Sequence, residues 1–159
     1  MSKQRGRSRL QERVGFPVPA ICSCLLILFT LAAACRETER ARVPTEVNEV
    51  ITNIGEQIAQ ERYEQIYNES SDLWKKDVTL EQSNEVFKTL NTKLGKVQTR
   101  SLNSAIQQEN SGGALKGHVF ILSYETHFER GDAMETFTLI KENGRWLLAR
   151  YFVNSTALK

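Results

Sequence analysis

The 159-residue chain carries 21 Lys and Arg against 19 Asp and Glu, with two histidines and three cysteines. Five of the cations but only one anion, Glu12, fall within residues 1–13, which leaves 16 cations against 18 anions in the remainder. The net positive charge therefore belongs to the N-terminus, and the rest of the chain offers no basic field for nucleic acid.

Lys3, Arg5, Arg7, Arg9 and Arg13 precede an uncharged run from Val14 to Cys35, in which Ala20 to Ala34 is the stretch free of proline. Its 15 residues suit the apolar region of an export signal and fall short of the roughly 20 that span a bilayer. The end of the run, Leu31-Ala32-Ala33-Ala34-Cys35, resembles the lipobox of bacterial lipoproteins, with Ala32 where a Leu is commonest. That resemblance implies cleavage before Cys35 and diacylation of its sulfur. Ala32-x-Ala34 also fits ordinary signal peptidase, and an uncleaved signal anchor is the third reading. All three put the domain outside the cytoplasm, since the basic flank stays inside. Arg36 stands where many inner-membrane lipoproteins carry Asp, so the resemblance implies sorting to an outer membrane or cell surface. The expected organisation is a lipoprotein-type signal peptide at 1–34, a charged tether at 35–44 and a folded domain at 45–159. Loss of Cys22 and Cys24 with the leader leaves Cys35 alone, so no internal disulfide can support the fold.

Beyond Pro44, Val47, Val50, Ile51, Ile54 and Ile58 recur at three and four, which predicts a helix over 45–59 with one apolar stripe. Gly55 sits inside it at a cost of about 1 kcal/mol against Ala. Tyr63, Ile66, Tyr67, Leu73 and Trp74 predict a second short helix or a kinked extension. Thr79 and Gln82 have the form of a capping box, Val86, Phe87, Leu90 and Leu94 form a stripe, and Gly95 is a stop, so a helix is expected over 80–94.

After Gly95 the period changes to two. Strands are expected at 96–108, 115–129, 133–142 and 145–153, with turns at Asn110-Ser111-Gly112-Gly113, Gly131-Asp132 and Asn143-Gly144. Asn143-Gly144 is the strongest hairpin signal, because both central residues of a type I′ turn need positive φ. A two-residue loop there sets Leu139 opposite Leu148 and Glu135 opposite Phe152. A similar loop at Gly131-Asp132 sets Tyr124 opposite Leu139 and Phe128 opposite Glu135. One face then collects Phe120, Leu122, Tyr124, Phe128, Phe137, Leu139, Trp146, Leu148 and Phe152 as the core. Helices followed by an antiparallel sheet make an α+β layer architecture, with the N-terminal helices packed on a curved four-stranded sheet.

The segments YEQIYNESSDLWKKDV (63–78), KLGKVQTRSL (93–102), YETHF, ETFTLIKENGRW and LLARY resemble the cystatin-like cone fold of the nuclear-transport-factor-two-like superfamily, and within it a family of uncharacterised bacterial exported domains. The resemblance covers most of residues 45–153. It implies the cone but no function, because members include enzymes, ligand binders and interaction modules. A turn-forming residue is expected between the first two helices, where this chain has Gln60-Glu61-Arg62.

His118 and His127 fall on opposite faces of one strand, which argues against a shared metal, and Glu125, His127 and Glu129 read as a solvated face. No cofactor is expected. Glu135 and Arg150 are both expected on the apolar face, diagonal across adjacent strands. Buried charges are costly unless paired or wetted, so the two are expected to mark the mouth of a cavity, with Tyr124 on the same face as a further ligand contact. The composite reading is a non-enzymatic domain, tethered to a membrane through lipidated Cys35, that binds a protein partner or a small ligand. The rival is an enzyme using a carboxylate or histidine inside the cavity. A third reading, a dimer through the sheet, requires an exposed apolar patch around Val119, Ile121, Ile140, Leu147 and Tyr151.

Overall fold

The computed structural model describes residues 42–159. Cys35, the leader and the first part of the tether lie outside the described residues. Among those described, no helix is long and apolar enough to cross a membrane.

Helix α1 (Thr45–Ala59) follows Pro44 and turns Val47, Ile51 and Ile54 inward. Glu61 then takes a positive φ of 56°, the conformation for which a turn-former was expected, and Asn91 holds its carboxylate with an amide N–H at 3.1 Å. The segment expected as a second short helix or a kinked extension is two helices: α2 (Tyr63–Glu69) and α3 (Asp72–Asp77). Two serines divide them. The Ser70 hydroxyl donates back to the Ile66 carbonyl at 2.7 Å, and Ser71 caps α3 by accepting the Trp74 N–H at 3.3 Å. The Ser71 N–H also donates to the Leu148 carbonyl, which ties the break to the sheet. Helix α4 (Leu80–Leu94) begins at the expected capping box, with both reciprocal bonds formed between Thr79 and Gln82, and stops at Gly95.

Four strands, β1 (Val97–Asn110), β2 (Gly117–Phe128), β3 (Gly131–Glu142) and β4 (Arg145–Asn154), complete the domain as an antiparallel meander in the order β1-β2-β3-β4. The α+β layer arrangement is thus the one expected, with a cone-like sheet. Val47, Ile51, Ile66, Trp74 and Phe87 pack from the helices onto Phe120, Leu122, Phe137, Leu139, Trp146 and Leu148. Both tryptophans are core: Trp146 meets Phe120 edge-on, and Trp74 donates its indole N–H to Ser83.

Two registers differ from expectation. The β2–β3 turn is Glu129-Arg130 rather than Gly131-Asp132, so Phe128 faces Gly131, and Tyr124 faces Glu135 instead of Leu139. The turn is displaced because it docks on the end of α4. The Arg130 backbone N–H donates to the Leu94 carbonyl at 2.9 Å, and its guanidinium donates to the carbonyls of Asn91 and Thr92 at 2.6 and 2.8 Å. The last carbonyls of a helix lack partners within it, and a cation is favoured there. The slip is even, so every β2 and β3 side chain keeps its expected face.

The β3–β4 hairpin starts as expected, with Asn143 and Gly144 at φ 50° and 81°, Glu142 opposite Arg145 and Leu139 opposite Leu148. A bulge at Ala149 then makes Thr138 face Arg150, and Glu135 faces Val153 instead of Phe152. Beyond the bulge the parity inverts. Arg150 and Phe152 point to solvent, Phe152 being 65% exposed, while Tyr151 turns inward. The expectation that Arg150 faces the helices is therefore overturned. Burying Arg150 would require a counter-charge, whereas the bulge keeps it in water and tucks Ala149 against Val119 and Ile140. Leu73 and Leu115 cover that cluster, so the patch required by a sheet-to-sheet dimer is not an open surface.

Candidate functional site

Glu135 lies on the inner face of β3 and is fully buried. Each of the other three strands supplies it with a donor. Arg100 of β1 gives a two-pronged ion pair, Nε to Oε2 at 2.7 Å and Nη2 to Oε1 at 3.1 Å. Thr126 of β2 donates its hydroxyl to Oε2, and Tyr151 of β4 donates to Oε1, both at 2.5 Å. Four donors match the four lone-pair positions of a carboxylate, so the buried charge is compensated and its acceptor capacity is filled. The expected ion pair exists with a different cation: Glu135 pairs with Arg100, not with Arg150.

Above this network, between α1, α4 and the sheet, is a cavity of about 550 Å³ lined by Ile51, Gly55, Ile58, Phe87, Leu90, Phe128, Arg100, Tyr124 and Tyr151, with Glu56 and Lys96 among its exposed lining residues. Its volume is within the roughly 300–1,000 Å³ usual for small-molecule sites. Tyr124, singled out from the sequence, borders it, while Arg150 and Glu135 do not: Arg150 is in solvent, and Glu135 is fully buried beneath Arg100 and Tyr151 rather than at the mouth. Gly55 explains itself here: a Cβ on it would lie 3.0 Å from Arg100 Nη1. The missing side chain in mid-helix makes room for the guanidinium, which also stands over the rings of Tyr124 and Phe137 at 6.0 and 5.4 Å.

Burial, the negative charge of Glu135 and the hydrogen bond to it together push the Tyr151 hydroxyl well above the ordinary phenol value of 10.0. Burial also raises Tyr124, with Arg100 opposing and Glu135 reinforcing. Both phenols are therefore protonated at neutral pH and act as hydrogen-bond donors, not bases. A group whose folded pKa lies above its unfolded one stabilises below the unfolded pKa and loses that contribution as pH rises past it. The urea midpoint of the wild type is accordingly expected to fall more steeply above about pH 10 than that of Tyr151→Phe. Equal slopes in the two proteins would show that Tyr151 does not hold its proton against the network.

A second cleft, of about 680 Å³, lies where α1 and α2 meet the β3–β4 turn and includes Asn53, Gln57, Glu69, Glu142, Arg145 and Trp146. Glu69 accepts amide N–H bonds there from Gln65, Gln57 and Asn53, which lower its pKa, that of Gln65 most. The Asn53 and Gln57 bonds lace α1 to α2. The histidines stand apart from both cavities. His127 pairs with Asp132 at 2.6 Å and His118 approaches Glu109 at 3.7 Å, all four side chains being exposed. Among the described residues no group of three or more His, Cys, Asp or Glu side chains is placed to hold a metal.

Sequence reasoning placed Glu135 and Tyr124 on the inner face, where the structure has them, and missed Arg100, Thr126 and Tyr151. Thr126 carried a usable signal, a polar residue at an inward position between Tyr124 and Phe128. Arg100 carried none, because VQTRSLNSAIQQEN is almost uniformly polar and shows no inward parity.

No curated protein matches the chain. The family model described as a protein of unknown function, DUF4019, matches residues 52–151, a span that runs from α1 through Tyr151 and contains all four members of the Glu135 network. On that match, which takes in well over half of its length, the chain belongs to the DUF4019 family.

Proposed function

We propose that this protein is an extracytoplasmic binding domain, tethered to a membrane face through lipidated Cys35, that holds a small ligand in the cavity between α1, α4 and the sheet. The observation that carries the reading is the pairing of an apolar cavity with a saturated polar floor. Glu135 has four donors and no lone pair left for a substrate proton, and both cavity phenols are held protonated. An enzyme using a cavity carboxylate or histidine needs a free base on the floor; both histidines lie outside the cavity, and its other carboxylate, Glu56, is an exposed lining residue rather than a floor group. Helices followed by a four-stranded meander, with the cavity between the layers, also support placing the domain among the nuclear-transport-factor-two-like cones. The basic leader and the sequence before Cys35 support the tether, and two or more acyl chains would make it permanent.

Two measurements test the reading. A fluorescent alkyl-chain reporter should bind the full chain in lipid nanodiscs above the level of empty nanodiscs. Gly55→Leu, which projects into the cavity, should weaken that binding by at least about tenfold while leaving the circular dichroism unchanged. Undiminished binding to the variant would move the ligand elsewhere. For the tether, mass spectrometry should find an acylated peptide beginning at Cys35, and Cys35→Ala should abolish it. A dominant unmodified peptide continuous from Leu31 through Arg40 would overturn the lipid anchor.

A further inference from the structure

We propose that the cavity selects a neutral amphiphile, an alkyl chain ending in an amide or ester carbonyl, over a carboxylate or an ammonium of the same length. The proposal rests on the small-ligand reading and goes on to the chemistry of the ligand's head.

Charge balance decides the class. Among the described residues Arg100 is the one cation on the cavity floor, and Glu135 already neutralises it through Nε and Nη2. At the rim, exposed Lys96 and Glu56 carry one charge of each sign, so the lining has no net charge there either. An incoming carboxylate would leave water for a floor with no unmatched positive charge, and a desolvated unpaired ion is costly. An ammonium meets the opposite obstacle: the four acceptor positions of Glu135 are filled, and the guanidinium stands between it and the cavity.

A neutral carbonyl fits what remains. Arg100 Nη1 takes no part in the pair with Glu135 and lies beside Gly55, on the cavity side. The Tyr124 phenol is a second donor on the same floor. An acceptor with two lone pairs and no net charge can use both donors without disturbing the ion pair. Ile51, Ile58, Phe87, Leu90 and Phe128 then offer the alkyl chain an apolar wall.

The test is displacement of the alkyl-chain reporter from the full chain in nanodiscs by octanamide, methyl octanoate, octanoate and octylamine. The amide and ester are expected to compete at concentrations about tenfold lower than the two ions. Glu135→Gln keeps the shape but frees the Arg100 charge, and it should reverse the order so that octanoate leads the amide by about tenfold. Because that change lies in the core, Glu56→Gln at the exposed rim provides a variant with no buried alteration, and octanoate should gain about threefold on it. Should octanoate or octylamine compete best on the wild type, or all four equally, the proposal is overturned while the small-ligand reading stands. If the reporter does not bind at all, the small-ligand reading itself has failed.

Discussion

Replacing Glu135 by Leu is expected to lower the unfolding free energy by about 3–5 kcal/mol, the range found when one partner of a buried ion pair is removed. The loss is not that of a single contact. Arg100, with 16% of its side chain exposed, would keep its charge without a counter-ion, and the hydroxyls of Thr126 and Tyr151 would lose their acceptor together. Against a total stability of roughly 5–15 kcal/mol, such a loss brings the domain close to unfolding, with a thermal midpoint lower by on the order of 15 °C. The double change Arg100→Met with Glu135→Leu removes both charges and should recover the part of the loss due to the stranded guanidinium, while the Thr126 and Tyr151 hydroxyls still lack their acceptor. Urea unfolding of the two singles and the double gives the coupling energy directly. A double variant no more stable than Glu135→Leu would mean that Arg100 is not the group left stranded.

Apolar residues often fill the space of a buried ion pair comparably well, so packing alone does not account for the network. Its geometry gives it another use. It draws one residue from each of the four strands, so it fixes their relative positions at the floor of the cavity, and it presents a guanidinium whose charge is already spent. A floor of this kind offers donors without offering charge, the property on which the proposed preference for a neutral head rests.

What the sequence discloses about this site depends on the range of each interaction. Helices 45–59 and 80–94 are legible to the residue because their signals are local, a stripe at three and four, a capping box and a terminal glycine. The Asn143-Gly144 hairpin is legible for the same reason, and parity alone puts Tyr124 and Glu135 inside. The Ala149 bulge is not legible. Nothing in LLARY marks an extra residue, and the bulge is stabilised by contacts with Val119 and Ile140 from other strands. The error propagates, because one inserted residue exchanges Arg150 and Phe152 for Tyr151 on the inner face. The true partner, Arg100, lies on β1, which is not adjacent to β3, so no hairpin register connects it to Glu135. Only Gly55 hints at it, as an unfavourable residue in mid-helix whose reason is the guanidinium opposite.

Gly95→Ala is expected to cost about 2–4 kcal/mol, and the effect should reach both the cavity and the sheet. Gly95 ends α4 at φ 79° and ψ −161°, a region that side-chain-bearing residues avoid at a cost of about 1–3 kcal/mol. Space is also lacking: a Cβ there would lie 2.5 Å from Glu129 Oε2 and 2.9 Å from Glu129 Cβ. Glu129 cannot swing away freely, since Oε2 accepts the Lys96 N–H at 3.1 Å and its own backbone N–H donates to the Lys96 carbonyl at 3.0 Å. The variant must therefore push the Glu129-Arg130 turn off the end of α4, loosening the Arg130 bonds to the Asn91 and Thr92 carbonyls. Because Gly95, Lys96, Val97 and Phe128 all line the cavity, reporter binding should weaken along with stability. The carboxylate's share of the clash is tested by the double variant Gly95→Ala with Glu129→Ala. Truncating Glu129 at Cβ removes the 2.5 Å contact but leaves the 2.9 Å contact with Cβ and the strained backbone, so urea unfolding should show only partial recovery, with at least about 1–3 kcal/mol still missing. Wild-type stability in Gly95→Ala would mean that the chain leaves α4 by another path, and the docking of the β2–β3 turn on that helix would fall with it.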